Sequence, residues 1–388
     1  MRLRRSTLAV AVSAAVSAGL LVSAPTSGAV VVGASRELVS AASGRCLEVP
    51  GANSADAVQS AIRDCAGDAS QHWTYTSAKE LRVTVGGVVK CLDVRGGGTT
   101  NGTAVQTYRC AGNTNQQWTF DTEGQIKAAS SGLCLDVQGG ATANGTKVQL
   151  WTCRTAGINQ TWVQRTLNRP AGVHFQDDGT IEGWDRAYEQ KSGVIRNVTS
   201  PVYKGGTAIE TTQTYVNETG GYHSETVARG AQRLGEDRYY GQAVYLPANW
   251  QWHNQNVTFQ QWSTEEPAGP WLLMFVQNDE IVWCCGSTRG SVKITNLRGT
   301  WIRLVVRIKL ATTSTNGAFE VWLNGTKVFS RVDIGLTTSD GARTIRWSSG
   351  IYATAWRDST PAGPSVLTIF HDHARIAGSY ALAEPANW

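Results

Sequence analysis

Short apolar runs separated by turn residues recur along the chain, and no stretch sustains a helical period. The pattern predicts strands. In the second half the runs are Arg238 to Leu246, Val257 to Trp262, Trp271 to Gln277, Trp301 to Leu310, Phe319 to Leu323 and Val366 to Ile376. Asn324-Gly325 directly after Glu320-Val321-Trp322-Leu323 is a hairpin signal, since this dipeptide tolerates the positive φ of a tight turn. The Trp301 run is the most legible. Ile302, Leu304, Val306, Ile308 and Leu310 share one face, while Trp301, Arg303, Val305, Arg307 and Lys309 share the other. The apolar face is expected to pack on a second sheet. The basic face suits either a groove for an anionic polymer or ordinary contact with solvent.

The first half repeats itself. Cys46 and Cys65, Cys91 and Cys110, and Cys134 and Cys153 are each 19 residues apart, and each first cysteine opens Cys-Leu-acid-Val. Each unit closes on Gln-x-Trp, at Gln71/Trp73, Gln116/Trp118 and Gln160/Trp162. A unit of this size cannot bury its own apolar face, so the three copies must pack together. Gly96-Gly97-Gly98 and Asn101-Gly102 supply turns between the runs, and three such units closing into a barrel and cap form a β-trefoil.

Met1-Arg2-Leu3-Arg4-Arg5, an apolar run from Leu8 to Val22 and then small residues read as a secretory signal, residues 1–29, with cleavage after Ala24 or Ala29. The apolar run is short and serine-containing, which argues against a membrane anchor. Export permits disulfides, in keeping with cysteines paired alike in every repeat. Losing Arg2, Arg4 and Arg5 takes the formal charge from +5 to about +2, which is no nucleic-acid footprint. Fifteen Trp, 41 Gly and 17% charged residues describe an extracellular, turn-rich, all-β protein whose aromatic faces suit sugar rings.

Residues 34–165 resemble the ricin B-type lectin repeat, a carbohydrate-binding β-trefoil, on Cys-Leu-Asp-Val, Asn-Gly-Thr-x-Val-Gln and Asn-Gln-x-Trp. The resemblance implies that the Asp takes sugar hydroxyls, that an aromatic two residues before the second Cys stacks on the ring, and that the Asn-Gln pair adds hydrogen bonds. The third repeat matches with Asp136, Gln149, Trp151, Asn159 and Gln160, and the second with Asp93, Gln106, Tyr108, Asn115 and Gln116. The first has Glu48, Arg63 and Ser70 at the key places and reads as a structural repeat. Trp73, Trp118 and Trp162 are expected in the core, and the Gln of Gln-x-Trp suits holding a loop as well as touching sugar.

Beyond a linker, 166–171, the repeat is gone. In residues 172–388, Gly221-Tyr222-His223-Ser224-Glu225, Val257-Thr258-Phe259-Gln260-Gln261-Trp262 and Trp347-Ser348-Ser349-Gly350-Ile351-Tyr352 stand in order. They resemble the (R/H)-S-E, strand-borne Gln and Gly-x-Tyr motifs of jelly-roll polysaccharide lyases acting on alginate, heparin or glucuronan. This implies a concanavalin-like β-jelly-roll sandwich, with Gln261 on the substrate carboxylate, helped by Arg229 or Arg307. His223 and Tyr352 would divide the base and acid work. Alginate-type lyases carry Arg where His223 stands and a His shortly after the Gln; Trp262 follows Gln261 here, which is closer to the glucuronan arrangement.

Gln260 competes with Gln261, because neighbouring strand residues face opposite ways. Glu225 suits buttressing the sheet through Arg229. His371 and His373 flank Asp372 at two-residue spacing, which could suggest a metal site, but no clear third ligand lies nearby, so no metal and no cofactor is expected. Cys284-Cys285 is either a free, buried pair or a vicinal disulfide, and export favours the disulfide.

The expected protein is a secreted, monomeric lyase whose partners are an acidic polysaccharide substrate and a sugar at the trefoil. Nucleic acid and membrane are not expected partners. A jelly-roll glycoside hydrolase would need two carboxylates bracketing the bond, and no Glu-x-Asp-x-x-Glu strand motif provides them. A non-catalytic two-module lectin is the remaining alternative. Convergence of His223, Gln261 and Tyr352 on one groove separates it from the lyase.

Overall fold

The computed structural model describes residues 31–388 except 156, 168, 171, 252–255, 265–268, 278–279, 285–288, 294–297, 337–343, 358–359 and 362. The expected leader and Cys285 lie outside the described residues. The described chain is nearly all β; its α-helix is the four-residue Tyr380–Ala383. No described helix is long and apolar enough to cross a membrane.

The strands from Ser35–Ser40 to Trp162–Thr166 build the trefoil, and these two pair antiparallel to close it. Alternation explains the Cys-Leu-acid-Val motif. Leu47, Leu92 and Leu135, with Val49, Val94 and Val137, enter one shared core, leaving the acid between them on the other side. The Gln-x-Trp indoles repeat one contact: Trp73, Trp118 and Trp162 donate from Nε1 to the carbonyls of Leu47, Leu92 and Leu135 at 2.9, 3.0 and 3.0 Å. A buried indole N–H thus finds a partner inside its own repeat.

The expected bonds form between Cys46 and Cys65, between Cys91 and Cys110, and between Cys134 and Cys153. Each stabilises by about 3 kcal/mol through loop closure. The two halves of each bond sit differently. Cys46, Cys91 and Cys134 are fully buried on their strands. Cys65, Cys110 and Cys153 are instead half-buried and lie just past strand ends, so they are staples at the rim and not core residues. Cys110 and Cys153 follow Tyr108 and Trp151 by two residues, and each bond therefore ties down the chain that carries one of these rings.

The second half is a two-sheet jelly-roll sandwich. One sheet runs, in spatial order, through Arg186–Glu189, His223–Arg233, Thr344–Tyr352, Val257–Thr264, Gly269–Gln277, Glu280–Cys284 and Gly290–Lys293. The facing sheet runs through Val194–Val198, Ala208–Thr214, Val366–Ala377, Asp237–Tyr245, Trp301–Lys309, Gly317–Leu323 and Thr326–Ile334, with Val173–Asp177 also on Val366–Ala377. Phe259, Trp262, Trp347, Tyr240, Ile302, Leu304, Val306 and Ile308 fill the space between, as the Trp301 alternation predicts. The opposite, basic face of that strand turns away from the first sheet and carries ion pairs. Arg303 binds Glu384 at 2.6 Å, and Arg307 binds Asp237 and Glu320, each at 2.7 Å. It is an outer face and not a groove wall.

The two halves are in contact. Arg169, in the expected linker, ion-pairs with Glu37 of the trefoil. Arg165 lies 3.5 Å from Asp185, and Arg233 of the sandwich lies 3.0 Å from Asp64 of the first repeat. The His223–Arg233 strand bulges after Ala228, and Gly230 (φ +55°) there comes so close to Gly44 that a Cβ on Gly44 would sit 2.9 Å from the Gly230 carbonyl oxygen. Bare backbone on both sides permits this approach.

Candidate active site

Three adjacent strands of the first sheet carry the expected chemistry to one outward face. His223 and Tyr352 are register partners on neighbouring strands. Their rings stack with centroids 3.9 Å apart and planes 15° apart. Gly350, two residues before Tyr352, lies opposite Glu225 with φ +138°. A Cβ there would fall 2.2 Å from the Ser224 carbonyl oxygen, so the Gly of Gly-x-Tyr is what lets these strands close up.

Glu225 is the hub. It is fully buried, accepts from Gln261 Nε2 at 2.7 and 2.8 Å, and meets His223 Nδ1 at 2.6 Å. An ionised carboxylate only accepts hydrogen bonds, so Nδ1 must carry the proton of this contact and Nε2 is the outward nitrogen of His223. The expected pairing of Glu225 with Arg229 is not made; its partners are the imidazole and the amide.

A bulge settles the choice between the two glutamines. Along Gly269–Gln277, Thr258 pairs with Phe275 and Gln260 with the very next residue, Met274, so one extra residue, Phe259, interrupts the alternation. Gln260 then turns inward, donating at 2.7 Å to Gln242 of the facing sheet, and Gln261 turns outward to Glu225.

Arg229 and Arg307 are not at this face. Arg229 lies six residues from His223, roughly 20 Å along a strand. Its backbone N–H binds Asp185 and its guanidinium reaches the Glu123 carbonyl of the trefoil. Arg307 belongs to the other sheet. The cations this face offers are ones that sequence reasoning missed. Arg186 sits over the Tyr188 ring at 5.2 Å, and that ring lies 5.2 Å from His223. Arg346 alternates with the core residues Ile345 and Trp347, so it points outward two residues from Ser348, the register partner of Gln261. The i, i+2 spacing of Arg186 and Tyr188 was the available signal, but only pairing of Tyr188 with Glu225 places it here.

His371, Asp372 and His373 do not converge on a common point. Buried His371 turns to Thr226 Oγ1 at 3.1 Å, while Asp372 meets His373 Nδ1 at 2.8 Å and accepts from the backbone of Tyr203 and Lys204, and the His373 ring stacks on Trp388. Cys284 is a half-buried free thiol, correcting the expected disulfide with Cys285.

In the trefoil, the second and third repeats build matching clusters. Asp93 accepts from Gln106 Nε2 at 2.9 Å, Asn115 Nδ2 at 2.6 Å and Gln116 Nε2 at 3.0 Å. Asp136 accepts from Gln149, Asn159 and Gln160 at 3.1, 2.7 and 3.0 Å. Burial pushes the Asp93 carboxyl above its usual range, opposed by the amide N–H groups of Gln106 and Gln116. Gln116 and Gln160 are fully buried and also hold their loops, accepting from Ala111 and Arg154 N–H. They orient the carboxylates; Tyr108, Trp151, Asn115 and Asn159 are the partly exposed members. The Cys91–Cys110 and Cys134–Cys153 bonds take no part in these clusters beyond holding the strand ends. In the first repeat, Glu48 lies 3.8 Å from Arg63, and Gln71 donates to the Asp64 carbonyl.

A polysaccharide lyase family model matches residues 176–375, and a ricin-type beta-trefoil lectin domain model matches residues 34–165. The chain belongs to the polysaccharide lyase family and carries a ricin-type lectin module in front of the lyase domain. Among solved structures, an endo-beta-1,4-glucuronan lyase from the fungus Trichoderma reesei is 26% identical, with a TM-score of 0.51, over 56% of this chain and all of its own. The designed threefold-symmetric protein ThreeFoil is 29% identical, with a TM-score of 0.31, over 33% of this chain and 95% of its own. No curated protein matches the chain.

Proposed function

We propose that the chain is a secreted lyase that cleaves a uronate polymer, β-1,4-glucuronan first among them, by β-elimination at the His223 face. The observation that carries this reading is the joining of His223, Gln261 and Tyr352 around Glu225 on three neighbouring strands. The C5 proton of a uronate is weakly acidic, so the adjacent carboxylate must be stabilised as negative charge develops. Gln261 has a second amide N–H for that carboxylate, and Arg186 or Arg346 supplies positive charge. His223 Nε2 takes the C5 proton, the C4=C5 double bond forms as the C4–O bond breaks, and the Tyr352 hydroxyl gives its proton to the leaving oxygen. A hydrolase would need two carboxylates bracketing the bond; Glu225 instead lies beneath the amide and the imidazole.

We assign Asp93 and Asp136, with the rings of Tyr108 and Trp151, to sugar binding that keeps the enzyme on its polymer. A carboxylate takes adjacent hydroxyls while the ring covers the apolar side of the sugar. Because one site contributes little, the pair acts through avidity. Trp151→Ala is expected to weaken binding at its site by about threefold to tenfold without changing the melting temperature; titration with short oligosaccharides checks it.

The deciding experiment incubates the protein with glucuronan, alginate, heparin-type and neutral glycans and follows the ultraviolet absorbance of unsaturated uronate. A rise with glucuronan is expected. New reducing ends without that absorbance would show hydrolysis, and neither signal would leave a two-module lectin.

A further inference from the structure

The two trefoil clusters share a frame but differ in charge. Arg95 and Gln138 occupy the same place in their repeats, four residues after the first cysteine, and each N–H donates at 3.0 Å to a carbonyl of the same turn, Ala104 and Lys147 respectively. Their side chains do different things. Arg95 Nε donates at 2.8 Å to Gln106 Oε1, while Gln106 Nε2 donates to Asp93. The guanidinium is thereby fixed one amide away from the anchoring carboxylate. Among the described residues it makes no ion pair, so its charge is uncommitted.

Two further cations accompany it. Arg109 stands 5.5 Å from the centre of the Tyr108 ring, and Lys90 lies beneath; both bind the single carboxylate of Asp56. The third repeat has neutral Thr152 and Leu133 at the corresponding positions. Its Arg154 is exposed and, among the described residues, makes hydrogen bonds through its backbone alone.

We infer that the second-repeat site is selective for a sugar bearing an anionic substituent, a uronate carboxylate received by Arg95, while the third-repeat site takes neutral sugar. The inference rests on the assignment of Asp93 and Asp136 to sugar binding. A sugar held by hydroxyls at Asp93 and by its face on Tyr108 presents a ring substituent toward the guanidinium, whose planar fork matches a carboxylate. The lectin module would then grip the same class of polymer that the His223 face cleaves, and its two sites would distinguish acidic from neutral stretches of a chain.

The test uses the full chain with Trp151→Ala, leaving the second-repeat site to report. Methyl glucuronide, methyl glucoside and a sulfated glucoside are titrated against this variant and against one that also carries Arg95→Gln. The glucuronide is expected to bind about threefold to tenfold tighter than the glucoside, as befits a partly exposed charge-assisted contact, and less so at high salt. Arg95→Gln should abolish the difference. Any glucuronide held at the His223 face is untouched by that substitution, so the loss isolates the trefoil site. Equal affinities, or a preference that survives Arg95→Gln, would overturn the selectivity. A preference for the sulfated sugar alone would overturn the uronate assignment. If none of the sugars binds even the unaltered protein, the sugar assignment of both clusters fails, and the inference with it.

Discussion

Tyr352→Phe is expected to lower the turnover of a uronate polymer by about 10²–10⁴-fold while the protein keeps its fold and its grip on the polymer. The phenol ring remains stacked on His223, so only the proton donor is removed. His223→Ala should cause a loss of similar size by removing the acceptor. The double variant should be little worse than either single one, because the two groups serve one transition state. Initial rates of unsaturated product formation, together with far-ultraviolet circular dichroism, check this. Turnover of Tyr352→Phe close to that of the unaltered protein would remove Tyr352 from the mechanism.

Acid should destabilise the sandwich through His371. This imidazole is buried between the sheets, and desolvation lowers its pKa from 6.5 to about 3. Below about pH 6.5 the unfolded chain binds a proton that the folded chain refuses until about pH 3. Stability therefore falls as pH falls across that window, by about 1.4 kcal/mol per unit once the unfolded imidazole is protonated. His174, lowered to about 3 by desolvation and by Arg238, Arg165, Arg169 and Arg233, adds a loss in the same direction. Denaturant unfolding at pH 7, 6 and 5 should show a decline that His371→Gln makes shallower. An unchanged slope in that variant would mean that His371 ionises within the fold. Thr226 links His371 to the backbone of Ser349, next to Ser348, so this loosening would reach the strands that carry Tyr352 and Gln261.

How far the sequence reaches depends on whether a feature is local. Repetition alone determines the trefoil, because three copies of Cys-Leu-acid-Val and Gln-x-Trp must solve one packing problem in one way, and the three indoles make the same hydrogen bond. The same repetition pairs Cys46 with Cys65, Cys91 with Cys110 and Cys134 with Cys153, whereas Cys284 belongs to no repeat and stays a thiol. Period-two alternation likewise determines which side of Trp301–Lys309 enters the core. His223 and Tyr352 are legible as residue types within motifs.

What surrounds them was decided by register. The bulge at Phe259 reverses the facing of the residues directly after it, so Gln261 instead of Gln260 meets Glu225. The bulge after Ala228 carries Arg229 away to the trefoil contact, and antiparallel pairing brings Arg186 and Tyr188 beside His223 from 35 or more positions earlier. Strand pairing joins residues that have no fixed separation along the chain, and one inserted residue inverts a face. The amino-acid order therefore names His223, Tyr352 and the three trefoil repeats, while only the folded sheet decides which amide, carboxylate and cation stand with them.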